Sequence, residues 1–149
     1  MKHILKALGE AGIKEITGNQ DNPDVLKYFD SIGFDGSKLK DETAWCSAFV
    51  NWVCKESNLN YSGKLNATSW LDIGVSVEKP QVGDVVVFWR GKFKGEKIGN
   101  TNLMKGHVGF FCRETRNWIY VLGGNQKNQV KISAYPKARL LQYRRIDAA

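Results

Sequence analysis

The sequence is poor in the residues that usually build metal sites and disulfide scaffolds. It has two histidines, His3 and His107, and three cysteines, Cys46, Cys54 and Cys112. No C-x-x-C or H-x-x-x-H spacing occurs, so neither a zinc site nor a metal cofactor is expected. An odd number of cysteines argues against a fully paired disulfide framework. Cys46 and Cys54 fall eight residues apart on one expected helix, about 12 Å along its axis, which is too far for a disulfide. No apolar run is long enough to span a bilayer, so membrane insertion is not expected. The first ten residues alternate charged and apolar side chains and lack the continuous apolar core of a secretory signal. They read as an amphipathic helix. The expected location is therefore synthesis in the cytoplasm without a signal peptide, with any action on the cell wall following release or secretion by another route. Repeats, low-complexity tracts and linkers are absent as well, so residues 1–149 are expected to form one domain.

What is present begins with positive charge. The formal net charge is +7 over 149 residues. That balance favours a polyanionic partner such as nucleic acid, anionic lipid or an anionic cell wall, without choosing among them. The nearest approach to a basic patch is Arg90, Lys92, Lys94, Lys97 and Lys105, and its plain reading is a solvated loop.

Periodicity divides the chain into a helical first half and a strand-rich second half, an α+β arrangement. Asn22-Pro23 reads as an N-cap with proline at the first helical position. Val25, Leu26, Tyr28 and Phe29 then give an apolar face. From Thr43 to Glu56, Trp45, Phe49, Trp52 and Val53 recur at helical spacing, widened by Ala48, Val50 and Cys54. A helix apolar on most faces is buried, so this one is expected to be central. Thr68–Ile73 reads as a short helix or turn. Strands are expected at Asp84–Trp89, His107–Cys112, Trp118–Leu122, Val130–Ser133 and Leu140–Ile146. Short polar turns at Arg113–Asn117 and Gly123–Asn128 favour antiparallel neighbours.

Cys46 falls in the first turn of the central helix, where the helix dipole and unpaired N–H groups stabilise a thiolate and can receive an oxyanion. Alone, that placement equally suits a small core residue. His3 sits in a terminal segment expected to fray, so a base for Cys46 has to be His107, at the head of a strand and between Gly106 and Gly109. Strand alternation puts His107, Gly109 and Phe111 on one face and Cys112 on the other.

A cysteine opening a buried helix, followed by a histidine on a later sheet, is the papain-like order. Three segments make the likeness specific. Ala44-Trp45-Cys46-Ser47-Ala48-Phe49-Val50-Asn51-Trp52 is similar to the nucleophile helix of small CHAP-like wall hydrolases, many of them phage-encoded. Pro80-Gln81-Val82-Gly83-Asp84 and the apolar run after it resemble the P-x-x-G-D strand of CHAP and NlpC-type enzymes. Gly106-His107-Val108-Gly109-Phe110 resembles their histidine strand. The resemblance covers roughly Glu15 to Arg145. It implies a papain-like α+β fold, with N-terminal helices and a nucleophile helix on an antiparallel sheet of about five strands. It also implies a peptidoglycan amidase or endopeptidase, working as a monomer without a cofactor, on a wall substrate rather than nucleic acid.

Family members commonly carry a glutamate and then an asparagine on the strand after the histidine. Here Tyr120-Val121-Leu122-Gly123-Gly124-Asn125-Gln126 occupies that place, with no glutamate. Asn125 is the expected orienter of His107 and Gln126 the alternative. Trp45, beside the nucleophile, is expected to line the substrate cleft together with Gln126. Trp52 fits the core, and Trp70, Trp89 and Trp118 are ambiguous between core and surface. Two other functions fit the same residues: a papain-like deamidase or transglutaminase acting on protein, and a non-catalytic module binding wall or nucleic acid.

Overall fold

The computed structural model describes residues 2–14, 22–36 and 45–149. Among these residues three α-helices precede the sheet: α1 (Lys2–Leu8), α2 (Pro23–Asp30) and α3 (Cys46–Glu56). A 3₁₀ turn at Ala67–Asp72 leads into six strands. These are β1 (Val75–Val77), β2 (Val85–Trp89), β3 (Gly106–Glu114), β4 (Trp118–Gln126), β5 (Gln129–Pro136) and β6 (Leu140–Arg145). They form one sheet in the order β1-β6-β2-β3-β4-β5, with every pairing antiparallel. The fold is α+β, as the periodicity implies.

The sequence signals for the helices work as expected. Asn22 caps α2 by accepting the Asp24 N–H, Pro23 takes the first helical position, and Val25, Tyr28 and Phe29 are buried. Every residue of α3 from Cys46 to Cys54 is buried. Its apolar side packs on one face of the sheet through Val85, Val87, Val108, Phe110 and Leu122. Burying a helix all round requires its polar side chains to find partners. Ser47 and Asn51 do so: Ser47 Oγ donates to Lys64 O (2.7 Å) and accepts from Trp70 Nε1 (3.0 Å). Asn51 accepts the Gly63 N–H (2.7 Å) and donates to Ser47 O (2.9 Å). This network ties the segment after α3 to the helix. The sheet's other face carries a second cluster of Val86, Phe88, Phe111, Ile119, Val121 and Tyr143.

One expectation is refined and two are corrected. Among the described residues the sheet has six strands rather than about five, because Val75–Val77 pairs with β6. This strand is short and two of its three residues are exposed, so no alternation marks it. The expected turn at Gly123–Asn128 is mostly strand. β4 runs to Gln126, and only Lys127 and Asn128 turn the chain, both at positive φ (53° and 62°) as a two-residue hairpin of type I′ requires. His3 is built into the fold: its Nε2 lies 2.6 Å from Gly83 O, and its ring packs on Phe110.

The Pro80–Asp84 segment has a structural explanation. Gly83 turns at φ 96°. Asp84 is buried, accepts the Gln81 N–H (2.7 Å) and receives a two-pronged ion pair from Arg145 (3.0 and 2.8 Å). The motif thus fixes the start of β2 against the end of β6.

Candidate active site

Cys46 is the first residue of α3. The expected start at Thr43 lies outside the described residues. At this position the first-turn N–H groups have no partner within the helix. The His107 imidazole and the Val108 backbone N–H both act on the thiol and favour its ionised form. Burial is the largest influence on Cys46 and pushes its pKa up. The charge and hydrogen bond of His107, the Val108 N–H and the charge of Arg90 outweigh it, so the pKa falls below the ordinary thiol value.

His107 stands at the head of β3, on the strand that meets the N-terminus of α3. Burial is again the largest influence and favours the neutral ring. Cys46, then Gln126, overcome it, and the imidazole pKa rises. Arg90 acts against protonation of the ring while favouring the thiolate. The two opposite shifts describe a pair that gains by holding its proton on nitrogen rather than sulfur.

The side chain that meets His107 belongs to Gln126, whose Oε1 lies 3.0 Å from His107 Nε2. No hydrogen bond joins Asn125 to His107, so the expected register is displaced by one residue. The displacement has a local cause. Phe110 faces Leu122 and Phe111 faces Val121. Continuing that ladder would bring Asn125 opposite His107. Near the end of β4 the pairing with β5 slips instead, from Gly123↔Lys131 to Gln126↔Gln129, so β4 carries one extra residue. Asn125 sits at φ 56° within this bulge. Inserting one residue reverses the faces of those after it, which turns Gln126 toward His107.

The amide orientation of Gln126 is fixed by its own partners. Its Nε2 donates to Lys131 O (2.6 Å) and Val121 O (3.2 Å), which leaves Oε1 to accept from the imidazole. His107 Nε2 therefore carries a proton, and Nδ1 is the nitrogen left for the thiol. Gly123 makes room for this arrangement, since a Cβ there would lie 2.6 Å from Gln126 Oε1. At Gly124 a Cβ would come within 2.8 Å of Phe49 and Trp45, so the bulge rests directly on α3.

Trp45 does not line a cleft. It is 1% exposed and stacks on Tyr28 (6.0 Å, 19°), so it is core. Its ring turns inward because the helix begins at Cys46 and the side chain before it faces α2. Trp52 and Trp70 are also buried, and Trp118 is exposed. Trp89 is partly covered, with Arg139 over its ring. Tyr135 is a residue that sequence reasoning missed. Its ring stacks on His107 (4.8 Å, 27°) and on Phe88 (5.0 Å, 30°), closing one face of the imidazole. It lies on β5, far along the chain, and only the sheet order brings it there.

Among the described residues no group of acidic, histidine or cysteine side chains is arranged to hold a metal ion. No helix among them is long and apolar enough to cross a membrane. A comparison with curated proteins returned no match. The family model described as the CHAP domain matches residues 38–125, which is more than half of the chain. The matched span takes in Cys46, the Pro80–Asp84 turn and His107, in the order the three sequence segments imply. This chain belongs to the CHAP domain family, whose members are typically hydrolases associated with peptidoglycan.

Proposed function

We propose that the protein cleaves an amide bond of peptidoglycan through Cys46 and His107, with Gln126 as the orienter of the imidazole. The observation that carries this reading is the His107 Nε2–Gln126 Oε1 hydrogen bond (3.0 Å), beside a Cys46 at the N-terminus of a buried helix whose pKa and that of His107 move in opposite directions through each other. The thiolate of Cys46 attacks the amide carbonyl, and the carbonyl electron pair moves onto oxygen. The Cys46 backbone N–H, free in the first helical turn, faces the developing charge. Collapse of this intermediate breaks the C–N bond, and His107 gives its proton to the leaving amine. A water then attacks the thioester, His107 takes the water's proton, and the thiolate departs with the acid released. Gln126 holds Nε2–H throughout, so that Nδ1 stays aimed at sulfur. Tyr135 limits tilting of the ring by covering one face. The bond cut lies either between muramic acid and alanine or within the stem peptide.

Incubating purified peptidoglycan with wild type and Cys46→Ala, with mass spectrometry of the soluble products, tests the reading. Wild type should release fragments with a new amine and a new carboxylate, and Cys46→Ala should release none. Equal release by both proteins would overturn it.

A further inference from the structure

The 16 residues from Arg90 to Lys105 join β2 to β3 and carry five cations against one carboxylate, out of a net charge of +7 for the whole chain. The loop has its own internal order. Glu96 pairs with Lys105 and accepts the Lys92 N–H (3.2 Å). The Ile98 N–H donates to Leu103 O (2.8 Å), and the Lys105 N–H to Glu96 O (2.8 Å). This uses up the one carboxylate. Among the described residues none of Arg90, Lys92, Lys94 and Lys97 forms a salt bridge. The loop also exposes apolar side chains: Phe93 is 60% exposed, Leu103 45% and Ile98 37%. Phe93 is set between Lys92 and Lys94, in a segment bounded by Gly91 and Gly95 at φ 101° and 93°.

We propose that this loop docks on an anionic lipid surface, with the lysines against the headgroups and Phe93, Ile98 and Leu103 in the interfacial layer. A soluble polyanion would satisfy the cations but leave the three apolar side chains in water. Lipid satisfies both, by the same combination that holds amphipathic segments in the plane of a bilayer without crossing it. His107 is the second residue of the strand that the loop feeds, and the Arg90 charge reaches both Cys46 and His107. Docking would therefore bring the site alongside the bilayer.

Co-sedimentation of the full chain with vesicles tests the proposal. Phosphatidylcholine vesicles containing phosphatidylglycerol should bind the protein, and phosphatidylcholine alone should not. Added salt should weaken binding. Lys92→Gln with Lys94→Gln should weaken it about 25-fold, roughly five-fold per cation. Phe93→Ser should weaken it about ten-fold or more. Phe93→Trp should place a reporter in the layer, with blue-shifted emission that a lipid-borne quencher reduces. Absence of binding to the anionic vesicles overturns the proposal. So does binding that Phe93→Ser leaves unchanged, and a soluble poly(glycerol phosphate) held as tightly as the vesicles would mark a site for polyanions alone. Cys46→Ala should bind like wild type, and Phe93→Ser should keep its hydrolysis of soluble peptidoglycan fragments. The lipid inference and the hydrolytic reading can thus fail separately.

Discussion

The two ends of α3 each hold a buried cysteine, and the two thiols have moved in opposite directions. At the C-terminal end, burial is the whole environment of Cys54, and its pKa is pushed far above the ordinary range. At the N-terminal end, Cys46 is as well buried, yet His107, the Val108 N–H and Arg90 bring its pKa down. Burial alone makes a thiol inert. Burial with a charged partner and a backbone donor favours the thiolate instead, because the same low dielectric strengthens both interactions.

The largest effect should come from removing the partners at the N-terminal end. Cys46→Ala and His107→Ala should each lower peptidoglycan hydrolysis by on the order of 10⁴-fold or more, whereas Cys54→Ala should change turnover little. Steady-state release of soluble fragments would show this. If Cys54→Ala were as damaging, the contrast between the ends would be one of packing.

Alkylation separates ionisation from access. Cys112 is more exposed than Cys46, but its pKa is raised by burial. If thiolate fraction governs, iodoacetamide near neutral pH should label Cys46 first, and His107→Ala should slow that labelling by about 10²-fold. Labelling in the order of exposure, with Cys112 first, would deny Cys46 its special state.

A smaller effect is expected at the orienter. Gln126→Ala should lower turnover by at least about tenfold less than loss of either dyad member, since nucleophile and base remain. Asn125→Gly, which suits the positive φ, should leave turnover close to wild type. The reverse result would restore the register that the unbroken ladder implies.

The smallest effect is a displacement of the pH profile. Hydrolysis should rise with pH as Cys46 loses its proton, below the ordinary thiol range of about 8.5. It should fall as His107 loses its own, above the ordinary imidazole value of 6.5. Gln126 helps to raise the His107 pKa, so Gln126→Ala should move only the alkaline limb, and move it down. An unmoved limb would remove Gln126 from the titrating unit.

The parts of the site legible in the sequence were those set by local rules. Cys46 at a helix start and His107 heading a strand follow from periodicity, and a chain with two histidines leaves little choice of base. The Asn22-Pro23 cap and the central burial of α3 were equally readable. What escaped was set by pairing between strands. The bulge at Asn125 depends on how β4 meets β5 and rests on α3, so one polar residue was exchanged for its neighbour. Tyr135 reaches His107 only through the order of the sheet. Trp45 is core rather than cleft because adjacency along the chain says nothing about which way a ring turns where a helix begins.

The position of β6 in the sheet has a kinetic side. β6 lies between β1 and β2, although all the other strands precede it in the chain. A growing chain that has reached residue 139 already contains Cys46, His107 and Gln126, yet β1 has no neighbour and β2 has an open edge. Asp84, at the head of β2, has also not met Arg145. Such a chain closes its sheet only through pairing between residues far apart in sequence, the slow kind. Completion of the sheet therefore waits on residues 140–145, which must insert between two strands made long before them.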